Sequence, residues 1–107
     1  MTSKKESPVE VSELIFHPDV EKEISASYRW YEDQAIGLGD DFLNELETAY
    51  QAIMQFPNTW PKFHISFRRY LLSKFPFSVI YRVKGESVLV IAVMHQSRKP
   101  CYWDDRQ

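Results

Sequence analysis

Three runs stand almost end to end: Ser66-Phe-Arg-Arg-Tyr-Leu-Leu72, Phe75-Pro-Phe-Ser-Val-Ile-Tyr-Arg-Val83 and Val88-Leu-Val-Ile-Ala-Val-Met-His95. Each is rich in β-branched and aromatic residues and has the length of a strand. Lys84-Gly85-Glu86-Ser87 separates the second and third, and a short Gly-containing gap between apolar runs reads as a hairpin. The first two join across Ser73-Lys74-Phe75-Pro76. Pro76 then falls at a strand start, where its missing N–H costs little. The stretch predicts an antiparallel three-stranded meander. It also gathers Arg68, Arg69, Arg82, His95 and Arg98, with Tyr102, Trp103 and Arg106 following.

Working back towards the N-terminus, the pattern changes period. Met1–Glu10 is polar and reads as a tail, leaving residues 11–107 as one domain. Val11–His17 reads as a strand, with His17 at its end facing water. Pro18 and the acids Asp19, Glu21 and Glu23 open a helix. Val20, Ile24, Tyr28, Tyr31 and Ala35 recur at helical spacing on it. Trp30 falls off that stripe, free for a neighbouring helix or a partner protein. Gly37-Leu38-Gly39 stops the helix, and Asp40 or Asp41 is placed to cap a second one. Phe42, Leu46, Ala49, Ile53 and Phe56 form its apolar stripe, up to Pro57. The predicted fold is α+β: a strand, a helical hairpin, then the meander, with the helices on one face of a mainly antiparallel four-stranded sheet. Val88–Met94 is apolar at every position, as a central strand covered on both faces would be. With helices on one face only, something must cover the other, and a partner chain is one candidate.

Composition bounds the function. The 107 residues contain one cysteine, Cys101, so no internal disulfide is possible. That fits a reducing compartment. No apolar leader opens the chain and no run is long enough to span a bilayer, so a cytoplasmic location is expected. Residues 1–60 carry 4 Lys/Arg against 12 Asp/Glu, and residues 61–107 carry 9 against 3. Such a split points to one face meeting a polyanion or acidic partner, or to acidic solvated helices balanced by strand arginines. His17, His64 and His95 lack ligand spacing, and no metal or other cofactor is expected.

The element order, the Gly-Leu-Gly turn, the Pro57-Asn-Thr-Trp-Pro61 connector and the ending His95-Gln-Ser-Arg-Lys-Pro-Cys-Tyr-Trp103 closely resemble the RelE/ParE superfamily of small toxins. These are also described as plasmid-stabilisation proteins. The likeness runs from about Leu14 to Arg106. It implies a type II toxin–antitoxin pair in which a cognate antitoxin wraps the toxin and silences it. It also implies one of two activities. Some members cut messenger RNA in the ribosomal A site; others poison DNA gyrase. A third possibility is an inactive toxin retained as an antitoxin-binding partner.

Metal-free RNA cleavage needs a base for the 2′-OH, cations for the phosphate and an acid for the leaving oxygen. By the resemblance, Arg69 and Arg82 match sheet arginines that hold phosphate, while His95 and Tyr102 match C-terminal positions for a proton shuttle or stacking group. Lys62, Arg68, Arg98 and Trp103 are the expected target-binding residues. The sequence-derived pI of about 5.9 and the few lysines nearby depart from the strongly basic nuclease pattern. The plainer alternative is structural: His95, Arg98 and Tyr102 tie the C-terminal segment to the sheet and Trp103 packs on the core, while Arg69 or Arg82 pairs with helix acids such as Glu45 or Glu47. The two readings separate on whether Arg69, Arg82, His95 and Tyr102 converge on one open surface.

Overall fold

Pro18 sits at the first position of helix α1 (Pro18–Gln34), where its missing N–H leaves nothing unsatisfied. The computed structural model describes residues 13–64, 66–98 and 102–106, so the expected tail at 1–10 and Cys101 lie outside the described residues. His17 does not simply face water. Its Nδ1 accepts the Asp19 N–H at 3.1 Å and caps α1. Helix α2 (Leu38–Gln55) starts differently from the expectation as well. Neither Asp40 nor Asp41 caps it. The Glu32 carboxylate reaches over from α1 and accepts the N–H of Gly37 at 2.8 Å and of Gly39 at 2.9 Å. Gly37 makes the turn at φ 90°, a left-handed conformation glycine adopts without steric cost. Gly39 lies where the helices touch: a Cβ there would stand 2.7 Å from the Tyr28 ring.

Phe42, Leu46, Ala49 and Ile53 of α2 are buried as their spacing predicts, whereas Phe56 is half exposed beyond the helix end. On α1 the buried stripe is thinner. Val20 is enclosed, Ile24 and Tyr31 pack at the core margin, and Ala35 is exposed. Apart from Phe56 and Ala35, these helical residues pack with Phe77, Val79, Tyr81, Val88, Val90 and Val93 into one core.

The strands are β1 (Glu13–Phe16), β2 (Arg68–Leu71), β3 (Phe77–Lys84) and β4 (Ser87–His95), in the spatial order β1-β4-β3-β2. The meander β2-β3-β4 is antiparallel, as expected. The sheet as a whole is mixed, which corrects the mainly antiparallel description: β1 pairs in parallel with β4, from Glu13 opposite Ser87 to Phe16 opposite Val90. The physical reason is the helical hairpin. It carries the chain across one sheet face before the meander begins, and a crossover of that length permits parallel pairing. Strand β4 is therefore central, as its apolar run predicts.

One irregularity matters for everything downstream. Ile80 pairs with Ala92 but Tyr81 pairs with Val90, which leaves Ile91 as an extra residue on β4. Alternation slips there: Ile91 and Ala92 both join a second core with Phe67, Ile80, Met94 and Trp103 on the face away from the helices. Trp103 is wholly enclosed. So the chain's own connector and C-terminal segment, through Phe63, Phe67 and Trp103, cover this part of the second face; a partner chain is not needed for it. No helix among the described residues is long and apolar enough to cross a membrane.

Candidate functional site

The two sheet arginines share a face. Arg69 pairs with Ile80, whose side chain belongs to the second core, and the Arg69 guanidinium lies 4.4 Å from the Phe63 ring centroid on that side. Arg82 pairs with Leu89, which packs on the same core. Lys62 and Arg68 meet at the edge of this region. An isolated bridge joins their backbones, and the Arg68 guanidinium donates to the Trp60 carbonyl at 2.7 Å. The Arg68 side chain itself takes the helix side, close enough to Tyr81 to lower its pKa somewhat, although burial dominates and pushes that phenol up to about 12. Tyr81 donates its buried hydroxyl to the Pro57 carbonyl at 2.7 Å, tying the sheet to the end of α2.

His95 stands on the other face. It pairs with Phe77 of the helix-side core and packs edge-on against that ring, centroids 5.0 Å apart. The bulge decides this. A regular hairpin running from the Lys84–Ser87 pair would put His95 on Arg82's side by simple alternation. The extra residue at Ile91 reverses the parity and sends His95 towards α1. Its Nδ1 accepts the Ser97 N–H at 3.0 Å, with Ser97 Oγ at 2.8 Å. The neutral ring therefore carries its proton on Nε2.

Tyr102 is engaged. Its hydroxyl donates to Glu23 Oε2 at 2.8 Å, and Arg106 donates Nη1 to the same oxygen at 2.8 Å. Burial first, and then the Glu23 hydrogen bond and charge, drive the phenol pKa far above its ordinary value despite Arg98 and Arg106 nearby. Arg98 lies over the Tyr102 ring, 3.9 Å from the centroid. Trp103, expected to meet a target, has no exposed surface at all.

The expected four residues are thus not gathered on one surface. Arg69 and Arg82 occupy the face away from the helices, His95 the helix side, and Tyr102 is bound to Glu23. Two residues emerge that the sequence does not single out for these roles. Glu23 reads there only as a first-turn acid. In the fold its other oxygen accepts the Val93 N–H at 3.0 Å, so one carboxylate joins α1, β4 and the C-terminal segment. Its partners lie 70 to 83 residues away, and no local pattern signals a contact of that span. Ser97, which orients His95, is the second. Among the described residues no cluster of three His, Cys, Asp or Glu side chains could hold a metal ion.

A family model described as the ParE toxin of the type II toxin–antitoxin system parDE matches residues 14–100. The chain belongs to the ParE toxin family. The RelE/ParE likeness read from the sequence is thereby placed on its ParE branch. A solved structure of the chromosomal ParDE TA system from P. aeruginosa matches this ParE chain with a TM-score of 0.70 and 18% identity, covering 80% of this chain and 96% of that one. At that identity the likeness is one of fold. No curated protein sequence matches this ParE chain.

Proposed function

We propose that this ParE-family chain is the toxin of a type II pair, held silent by a protein antitoxin, and that it inhibits growth by binding DNA gyrase rather than by cutting messenger RNA. The observation that carries this choice is the separation of Arg69 and Arg82 from His95 across the sheet. In-line RNA cleavage needs phosphate-holding cations and a proton-transferring group within hydrogen-bond reach of the same nucleotide. A four-stranded sheet lies between the two sets here. The remaining candidate acid, Tyr102, already donates its hydroxyl hydrogen bond to Glu23, and its raised pKa makes the proton harder to give up. A binding protein needs no such convergence. Its exposed basic residues, Lys62 and Arg98, and the half-exposed apolar ones, Trp30 and Leu71, are dispersed as contacts on a broad protein interface can be.

The test uses purified, antitoxin-free protein in two assays side by side. The expected result is loss of gyrase supercoiling with accumulation of cleaved DNA, while cell-free translation continues and primer extension finds no new message ends. New 5′ ends that form only with ribosomes present, and vanish in Arg82→Ala, would overturn the gyrase assignment. Inactivity in both assays would favour the retained, inactive partner.

A further inference from the structure

Between α1 and the last residues of β4 lies a cavity of about 300 Å³, walled by Trp30, Tyr31, Phe77 and Val93, with Glu23, His95 and Arg98 around it. We infer that it is an anchor site for an acidic segment of the antitoxin, taking one apolar side chain between Trp30 and Phe77 and an adjacent carboxylate at His95 and Arg98. This rests on the toxin–antitoxin reading above, and not on the choice between gyrase and RNA.

The chemistry comes from what each group has left to offer. His95 spends Nδ1 on Ser97, which leaves an Nε2–H donor with no protein partner among the described residues. Arg98 is exposed and meets no carboxylate among the described residues, and its guanidinium carbon sits over the Tyr102 ring, 3.9 Å from the centroid. A guanidinium held against a ring face keeps its planar fork of N–H donors for a two-point grip on a carboxylate. A lone carboxylate at Glu23 would repel an anion. Its charge is already met by Arg106 at 2.8 Å, and its oxygens by Tyr102 and the Val93 N–H. The apolar half is equally specific. Trp30 is 57% exposed, an unusual cost for a tryptophan on a helix with an apolar core to join. It stands edge-on to Tyr31, ring centroids 5.1 Å apart. The volume sits at the lower limit of ligand pockets, roughly 300 to 1,000 Å³. It suits one side chain rather than a nucleotide or an extended ligand.

The probe is N-acetyl-phenylalanine, a ring beside a carboxylate, with N-acetyl-phenylalaninamide as its uncharged counterpart. Binding is followed by NMR at the Trp30 indole and the His95 ring. The expected result is saturable shifts at both residues, with the amide about tenfold weaker for loss of one charge-assisted contact. Arg98→Gln should bring the carboxylate down to the amide's affinity and leave the amide unchanged; Trp30→Ala should weaken both. In the antitoxin complex the probe should no longer bind. Equal binding of acid and amide, or no saturable shift at Trp30 and His95, would overturn the site. Binding to the free toxin that persists in the complex would overturn the antitoxin as occupant. A chain that fails to inhibit growth would count against the toxin reading alone, since the probe reads the cavity independently.

Discussion

Glu23 is the residue on which most of the C-terminal architecture converges. Strand β1 stops pairing at Val90, so the β4 edge beyond it has backbone groups that no neighbouring strand takes among the described residues. Glu23 accepts the Val93 N–H there, and Arg106 donates to the Ile91 carbonyl at 3.2 Å. Side chains that take these groups blunt the edge against pairing with a foreign strand. Glu23 and Arg106 side chains are each only 14% exposed; removing Glu23 takes the acceptor from the Tyr102 hydroxyl and the Val93 N–H and leaves Arg106 only the more distant Asp19, at 3.8 Å, as a carboxylate partner. Glu23→Ala is therefore expected to lower unfolding free energy by about 2–4 kcal/mol. Glu23→Gln keeps an acceptor and should lose about half of that. Urea unfolding checks both; a Glu23→Ala loss under about 0.5 kcal/mol would mean that the three contacts add little. The same residue shows what the sequence hides. His95 and Arg82 are visible as chemical candidates, but their relative placement depends on one unpaired residue, Ile91. Nothing in an unbroken Val-Leu-Val-Ile-Ala-Val run marks which position will bulge.

At the scale of elements, the local pieces are legible and their docking is not. The helical hairpin follows from periodicity and the Gly turn, and the β3–β4 hairpin from Gly85, whose φ of 62° suits the turn. The parallel seat of β1 beside β4 involves segments on either side of two helices, and only the assembled core selects it. The β2–β3 turn is another long-range arrangement. Glu45 of α2 accepts the Ser73 N–H and hydroxyl, the latter at 2.6 Å, and the Lys74 N–H. Burial raises the pKa of this carboxyl, but the Ser73 and Lys74 hydrogen bonds outweigh it and hold the value below the ordinary one. The sign follows directly. A depressed folded pKa means that the unfolded chain binds the proton more readily, so the carboxylate stabilises the fold above its ordinary pKa. That contribution disappears as pH falls through the lower folded value. The urea-midpoint gap between wild type and Glu45→Gln should be widest at about pH 7 and should narrow as pH falls below the ordinary carboxylate range towards the lowered folded value. A gap as wide at the acidic end would show that charge at Glu45 is not what secures the turn.

For the whole molecule, the C-terminal segment is part of the fold before it is part of any interface. Trp103 fills the second core between Phe63, Phe67 and the β3–β4 face, with its ring centroid 4.7 Å from that of Phe67. Truncating a buried aromatic of this kind costs about 3–5 kcal/mol. Domains of this size hold only about 5–15 kcal/mol in total. Trp103→Ala is thus expected to remove a fifth or more of the stability, and a chain ended before Tyr102 to lose cooperative unfolding and to bind a hydrophobic dye through the uncovered Ile80, Ile91 and Met94. This changes how growth assays of such variants are interpreted. Loss of toxicity on cutting the C-terminus would ordinarily be taken as loss of a target contact. Here circular dichroism and urea unfolding must come first, because an unfolded toxin is also a silent one. Arg98→Gln provides the contrast: its side chain is exposed, so the fold should stay intact while the cavity beside it changes. If the truncated chain instead keeps a sharp urea transition near the wild-type midpoint, Trp103 is not supporting the second core. The C-terminal segment would then have to be regarded as a detachable arm, free to leave the sheet when a partner binds.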